Sequence, residues 1–389
     1  MIKKIKIQNY KSIVNTDLHL ARFNVLIGAN GCGKSNILEA IAMAAASAAG
    51  KLDFEFFANR GIRVSEPRLM LPAFEDIDVD SIKIEINGKT TNDQMLFSLK
   101  YNTDLKPPRW EDDSINFRDL LIKLYYKAKN NTPTVNDVLS VLKDMGKQDD
   151  AIVNMRFEDV DGKPALLPIN RNIENFIIYS LEESELRKAD DNNRIFPLGR
   201  HGEGLFAYLK KMAQHPKGAE MIKEINDNLD VLDWFGNFDI PTDQLSNEFN
   251  IKLYDIYIKE TISSFDQRST NEGFLYLLFY LTLIISEDTP KFFAIENIDA
   301  SFNPKLCREI IRRLIYLAKK HNKQIIATTH NSAVLDGLDL NDEEIVLSVV
   351  RRTVDGYTKT NKVSLKGELN IPLSEAWMRG YIGGLPDNF

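Results

Sequence analysis

The sequence predicts an α/β fold, a mixed and largely parallel β-sheet flanked by helices and carrying an inserted helical subdomain. Three observations predict it. The last third alternates strand, helix, strand, helix, strand, through Ile251 to Ile258, Gly273 to Leu283, Phe292 to Ile295, Cys307 to Ala318 and Gln324 to Thr328. Such alternation builds a parallel sheet with helices packed on it. Phe23-Asn24-Val25-Leu26-Ile27 is a nearly continuous apolar run, the pattern of a strand buried on both faces. A Gly-rich turn follows that run directly, and then the helical spacing Ile37, Leu38, Ile41, Ala42.

Taken in order, Ile5 and Ile7, then Val14, Leu18 and Leu20, alternate as half-buried strands do and predict a hairpin. Ser81 to Ile86 alternates again, Asn87-Gly88 is a turn signal, and Met95 to Tyr101 reads as the returning strand. From about Pro107 to Lys163 the chain is charged, helical and poorly patterned, punctuated by Pro107-Pro108 and Thr132-Pro133-Thr134. It has no long heptad repeat, so a long coiled-coil arm is not expected. Phe176 to Tyr179 resumes strand character, and Gly199 to Gly204 is a second glycine-rich turn, followed by Leu205, Leu209 and Met212 on one helical face. Phe274 to Ile285 is the most apolar stretch, but it is short and runs into Ser286-Glu287-Asp288, as a buried core helix does. The expected division is an N-terminal part over 1–105, a mainly helical insertion over 106–195 and a C-terminal part over 196–389.

The 389 residues suffice for a sizeable core, and the net charge of −7 argues against a wholesale nucleic-acid coat while leaving room for a local basic patch. Lys3, Lys4, Lys6 and Lys11, with Arg351 and Arg352, are the candidates for such a DNA-facing patch or for an ordinary solvated face. The two cysteines, Cys32 and Cys307, have no metal-like spacing and make no disulfide framework. The N-terminus lacks the apolar core of a signal peptide, and no apolar run approaches the roughly 20 residues that cross a bilayer. A cytoplasmic protein without a membrane partner is expected.

Gly28-Ala29-Asn30-Gly31-Cys32-Gly33-Lys34-Ser35 satisfies G-x-x-x-x-G-K-[ST] between a predicted strand and a predicted helix. Glycines let the backbone curl so that successive N–H groups face phosphate oxygens, and the helix that follows adds the positive end of its dipole. Lys34 is placed to neutralise the β- and γ-phosphates of ATP and Ser35 to ligate Mg²⁺, with Asn30 to Asn36 as the binding segment. Cys32 reads as a tolerated small residue rather than a reactive thiol.

With the segment IKKIKIQNYKSIVNTDLHLARFNVLIGANGCGKSNILEAI, the chain resembles the RecF-like and OLD-like AAA-type ATPases, relatives of SMC proteins with an ABC-type P-loop head. The likeness returns over about the last 130 residues. Ser269-Thr270-Asn271-Glu272-Gly273 stands where the family carries a Ser-x-Gly signature. There the resemblance implies that Asn271, Glu272 and Gly273 reach the γ-phosphate of a second subunit's ATP. Asn271 takes the usual Ser position; a helix N-cap is the plain alternative. Phe292-Phe293-Ala294-Ile295-Glu296-Asn297 resembles a Walker B strand, with Glu296 at the Mg²⁺-holding Asp position. Asn297 takes the place of the catalytic Glu, and an amide is a poor general base, so slow hydrolysis is implied; Asp299 is the alternative base. Ala300-Ser301-Phe302-Asn303-Pro304 resembles the D-loop, and His330, after Thr328-Thr329, the switch histidine.

Arg60-Gly61-Ile62-Arg63 occupies Q-loop territory without a glutamine. Pro197 to Gly204 resembles a segment before the lid helix, or sets only a turn. The tail from Trp377 to Pro386 is either packed on the domain or a docking surface. Some sixty residues follow His330, too few for the Toprim nuclease domain of OLD-type proteins, so cutting is expected of a separate protein. The resemblance implies a homodimer or higher homo-oligomer with ATP sandwiched between subunits. Its implied role is a slow nucleotide switch controlling a separate effector in bacterial phage defence. A RecF-like DNA repair ATPase, a scaffold with negligible turnover and a transporter ATPase are the alternatives.

Overall fold

The computed structural model describes residues 1–89, 94–115, 172–188, 197–240, 251–258, 268–364 and 371–385. Strands β1 (Lys4–Tyr10), β2 (Ile13–His19), β4 (Ser81–Asn87), β5 (Gln94–Asn102) and β6 (Arg109–Asp112) form an antiparallel sheet in the order β2-β1-β4-β5-β6. Period-two alternation turns Ile5, Ile7, Ile82, Ile84 and Ile86 to one buried face. A second sheet runs β13 (Thr358–Lys362), β12 (Ile345–Arg352), β3 (Phe23–Ile27), β11 (Gln324–Thr328), β10 (Phe292–Ile295), β7 (Ile178–Tyr179). All its pairings are parallel except β12 with β13.

Helix α1 (Lys34–Ala48) lies between the two sheets. Residues Ile37 to Ser47 are all buried, because sheet covers the helix on both sides. Its run of alanines lets both sheets approach closely. Leu26, Ala294, Ile326 and Val350 face α1, whereas Phe23, Val25, Ile27, Phe293, Ile295 and Val349 face the opposite core. That core is closed by α5 (Leu205–Ala213), α6 (Gly218–Leu229), α7 (Glu272–Ile285) and α8 (Pro304–Lys320). Shorter helices α2 (Phe54–Asn59), α3 (Pro67–Met70) and α4 (Glu183–Leu186) precede these, and α9 (Leu373–Met378) follows them.

Every residue of α7 from Phe274 to Ile285 is buried, as its composition requires. Among the described residues no helix is long and apolar enough to cross a membrane. Three expectations change. The strand at Lys252–Asp255, β9, does not join the parallel sheet; it pairs with β8 (Phe235–Asp239) in a separate two-stranded ribbon. The 105/106 boundary is too early, since Arg109–Asp112 extends the first sheet. The 195/196 boundary is too late, since Ile178–Tyr179 completes the edge of the second. Most of the expected insertion, 116–171, lies outside the described residues.

Candidate functional site

The second sheet delivers its chemistry at the C-terminal ends of β3, β10 and β11. After Ile27 the chain turns through Gly28, Gly31 and Gly33, with φ of 151°, 72° and 109°. At Gly33, the N-cap of α1, glycine is required on two grounds: the backbone is left-handed, and a Cβ would stand 2.2 Å from Thr358 Oγ1. The loop is therefore laid against β12 and β13. Thr358 Oγ1 donates to the Cys32 carbonyl (2.8 Å) and is bonded to Ser12 Oγ (2.7 Å), which accepts from Asn36 Nδ2 (2.7 Å). Arg352 Nε donates to the Gly31 carbonyl (3.1 Å).

Lys34 is buried, and its ammonium folds into the loop, donating to the Gly28 (2.8 Å) and Ala29 (3.0 Å) carbonyls. Burial lowers its pKa, opposed by Cys32 and by the Glu296 charge. The Cys32 thiol is packed beneath the loop, 3.8 Å from Lys34 Nζ. Asn30 and Gly31 are exposed at the loop's crown, with Ser35 and Asn36 half-buried below.

One turn along α1 stands Glu39, only 1 % exposed. Its carboxylate accepts from Tyr10 Oη (2.9 Å) and forms ion pairs with Lys11 and Arg63. Arg63 NH2 also donates to Asn36 Oδ1 (3.1 Å). Burial alone would lower the Arg63 pKa, but the hydrogen bond and charge of Glu39, with Glu296 adding, raise it. Of the segment Arg60 to Arg63, Arg63 thus reaches the site, while Arg60 NH1 holds the Phe176 carbonyl (3.0 Å). Glu39 carries a signal that sequence reasoning missed: it is the lone charge in ILEAIAMAAASAA, and a charge there demands partners.

Glu296 and Asn297 follow β10. The Glu296 N–H donates to the Tyr179 carbonyl (2.8 Å), and its charge acts on both Lys34 and Arg63. Asn297 is exposed in a left-handed backbone (φ 51°), its N–H on Thr328 Oγ1 (3.0 Å). Asp299 accepts from the Thr329 hydroxyl (2.6 Å). His330 lies two residues past the end of β11, where partial burial and the Lys34 charge lower its pKa against the pull of Asp299. Lys34, Glu296, Arg63 and His330 therefore converge, with Asp299 bracing the turn before the histidine.

Asn271, Glu272 and Gly273 make their contacts elsewhere. Asn271 Oδ1 caps α7 by accepting from the Phe274 N–H (2.8 Å), the plain alternative, which leaves its amide nitrogen to donate outward. Gly273 abuts the D-loop turn: a Cβ there would stand 3.1 Å from the Ser301 carbonyl oxygen. Arg187 holds the approach to this helix through the Arg268 (3.0 Å) and Thr270 (2.9 Å) carbonyls. The Gly199 to Gly204 turn is bound to the chain after β7, with His201 Nδ1 on the Ser180 carbonyl (2.9 Å).

Three of the six residues of the candidate DNA patch are engaged within the chain. Lys4 pairs with Asp17 (2.9 Å), Lys11 with Glu39, and Arg352 with the phosphate loop. The C-terminal tail packs on the domain, burying Trp377.

The residues fit a Mg-nucleotide. A cradle of left-handed glycines, a buried lysine, a hydroxyl at Ser35 and a carboxylate at Glu296 make an anion seat beside oxygen donors suited to a hard cation. Among the described residues no group of three or more His, Cys, Asp or Glu could hold a metal ion.

The fold is similar to that of SMC heads. The chain aligns with an Smc head bound to the C-winged helix domain of ScpA at TM-score 0.52 and 14% identity, covering 94% of this chain and 98% of that one. An Smc head with an extended coiled coil from Pyrococcus furiosus gives 0.50 at 13% identity, over 94% and 96%. One with a coiled coil and joint from Pyrococcus yayanosii gives 0.50 at 12%, over 98% and 99%. No curated protein matches the chain. A family model, described as AAA ATPase domain, matches residues 1–335. With its phosphate loop, SMC-head fold and family match, the chain belongs to the AAA ATPase domain family and is an ATP-binding ATPase.

Proposed function

We propose that this ATPase binds Mg·ATP, hydrolyses it slowly and pairs head-to-tail with a second copy, as a nucleotide-loaded switch. The observation that carries the reading is the convergence of Lys34, Glu296 and His330 beside a position, Asn297, that offers an amide in place of a carboxylate. Lys34 and the loop N–H groups bind and orient the polyphosphate, and Ser35 and Glu296 hold the cation, which supplies charge neutralisation when bound. His330 contacts the terminal phosphate, and Asp299, through Thr329, positions that histidine. Without a carboxylate at 297 the attacking water lacks a strong base, and ATP persists.

In the dimer, the outward amide of Asn271 and the backbone at Gly273 reach the partner's nucleotide. By the resemblance in its motifs, the loaded dimer controls a separate effector protein, in phage defence. DNA loading is the weaker reading, since Lys4, Lys11 and Arg352 are engaged within the chain.

The test is steady-state ATP hydrolysis by the wild type beside Lys34→Ala, Asn297→Glu and Asp299→Ala. Slow wild-type turnover, accelerated by Asn297→Glu and abolished by Lys34→Ala, supports the switch. Brisk wild-type turnover stopped only by Asp299→Ala overturns it and makes Asp299 the base. Dimer formation is read by sedimentation with saturating Mg·ATP; a monomer at micromolar concentration refutes the paired state.

A further inference from the structure

The C-terminal segment returns to the phosphate loop. Helix α9 is fastened to the 3₁₀ turn Ser332–Gly337, just past His330: the Ser374 N–H and Oγ donate to Asp336 Oδ1 (3.0 Å) and Oδ2 (2.7 Å). From α9 the chain folds back in a tight turn, with Gly380 N–H on the Trp377 carbonyl (2.8 Å) and Tyr381 N–H on that of Ala376 (2.9 Å). Gly383 and Gly384 follow, with φ of 76° and 86°. A Cβ on Gly384 would stand 2.9 Å from Val349 Cγ1, 3.6 Å from Gly28 Cα and 3.6 Å from Trp377 Nε1. Gly384 is thus wedged between the first glycine of the phosphate loop and the buried Trp377, whose indole N–H has no partner. Gly383, equally left-handed, has nothing within 4 Å of its Cβ position.

We propose that Ser374 to Leu385 is a strap that ties the turn after His330 to the base of the phosphate loop, with Gly384 and Trp377 as positioning residues for nucleotide binding. One end is anchored on Asp336, six residues after the histidine, and the other rests on Gly28. Gly28 itself has no slack: its own Cβ would lie 2.1 Å from the Val350 carbonyl oxygen. Displacing the strap therefore shifts the loop rather than being absorbed by it, because close-packed interiors transmit small displacements. The strap brings no group to the phosphates; it sets where the loop sits, and it joins two parts of one site that are far apart in sequence.

The inference rests on the ATP-binding reading, so the experiment tests the two separately. A fluorescent ATP analogue is titrated into the full chain as wild type, Lys34→Ala, Gly383→Ala and Gly384→Ala. Both glycine variants carry the same left-handed backbone penalty, but only Gly384→Ala drives a methyl group against Val349, beside the first glycine of the loop. We expect the dissociation constant to rise at least fivefold for Gly384→Ala and to stay within twofold for Gly383→Ala. Equal effects of the two, or none for Gly384→Ala, overturn the strap. Failure of the wild type itself to bind overturns the nucleotide reading instead. Should Gly384→Ala not fold, the second measurement uses Trp377 as the sole tryptophan, in Trp110→Phe/Trp234→Phe. Adding ATP should then change its emission, and an unchanged spectrum with bound analogue refutes the contact.

Discussion

Gly33 and Thr358 are in such close register that a methyl group on the glycine would stand 2.2 Å from the threonine Oγ1, and 2.7 Å from its Cγ2. The threonine comes from β13, more than three hundred residues later, and its hydroxyl holds the loop from beneath. Gly33→Ala combines that collision with a left-handed backbone at φ 109°. The expected outcome is a loss of about 2 kcal/mol or more in folding stability, from strain and overpacking together. Affinity for an ATP analogue should fall at least tenfold. Urea denaturation and a nucleotide titration check the two effects.

Glu39 sets a second prediction. Its buried carboxylate faces Tyr10, Lys11 and Arg63, so removing it takes the acceptor from a buried phenol and leaves a largely buried ammonium with only the Arg63 carbonyl (3.2 Å). Glu39→Ala should cost about 3 kcal/mol, the range for breaking one side of a buried ion pair. Glu39→Gln should cost less, since an amide oxygen still accepts from Tyr10. Chemical denaturation of both variants at one pH is the check. Equal stability of Glu39→Ala and wild type would contradict it.

Lys323 provides the pH dependence. It is fully buried, with Nζ against the Thr289 carbonyl (3.0 Å), Thr289 Oγ1 (2.6 Å) and the Pro290 carbonyl (3.3 Å). Burial, aided by the Lys291 charge, pushes its pKa down to about 6. An unfolded lysine titrates near about 10.4, so between these values the unfolded chain binds the extra proton. Stability should therefore rise with pH from about 6 toward 10. Thermal melts across that window should show a flatter profile for Lys323→Met than for wild type.

Asn297 separates backbone preference from chemistry. At φ 51° an asparagine is tolerated, whereas a glutamate is expected to lose about 1 kcal/mol of stability. Asn297→Glu should melt lower yet turn ATP over faster. Asn297→Gly should hold its stability and gain no turnover. The pair of melting curves and rates tells a left-handed position from a catalytic slot.

Much of this was legible in the chain. The run Phe23–Ile27, the glycines and the start of α1 announced a strand, an anion loop and a helix, because periodicity reports burial and the loop motif needs specific backbone angles. The segments Phe292–Ile295 and Gln324–Thr328 proved parallel neighbours, as alternation with Pro304–Lys320 suggested. Lys252–Asp255 did not, since alternation shows that one face is buried but not which sheet it joins. Thr358 and Ser12 carried no signal at all, and Gly384 was in view only within the tail from Trp377 to Pro386: each matters through a close approach between segments distant in sequence. Arg63 was in view only as part of a segment, because its role depends on Glu39 one turn past the loop.

The two sheets are stitched along one side, where the Thr360 N–H donates to Thr16 Oγ1 (3.0 Å) and Thr360 Oγ1 to the Asp17 carbonyl (2.6 Å). Helix α1 is thereby gripped in a jacket of strands, with Ala42, Ala44, Ala45 and Ala46 wholly covered. A rod held that way cannot slide or roll, so the nucleotide seat is the fixed jaw of a vice. Movement on ATP arrival is therefore expected of the helices on the far side of the parallel sheet, which strands cover on one side only.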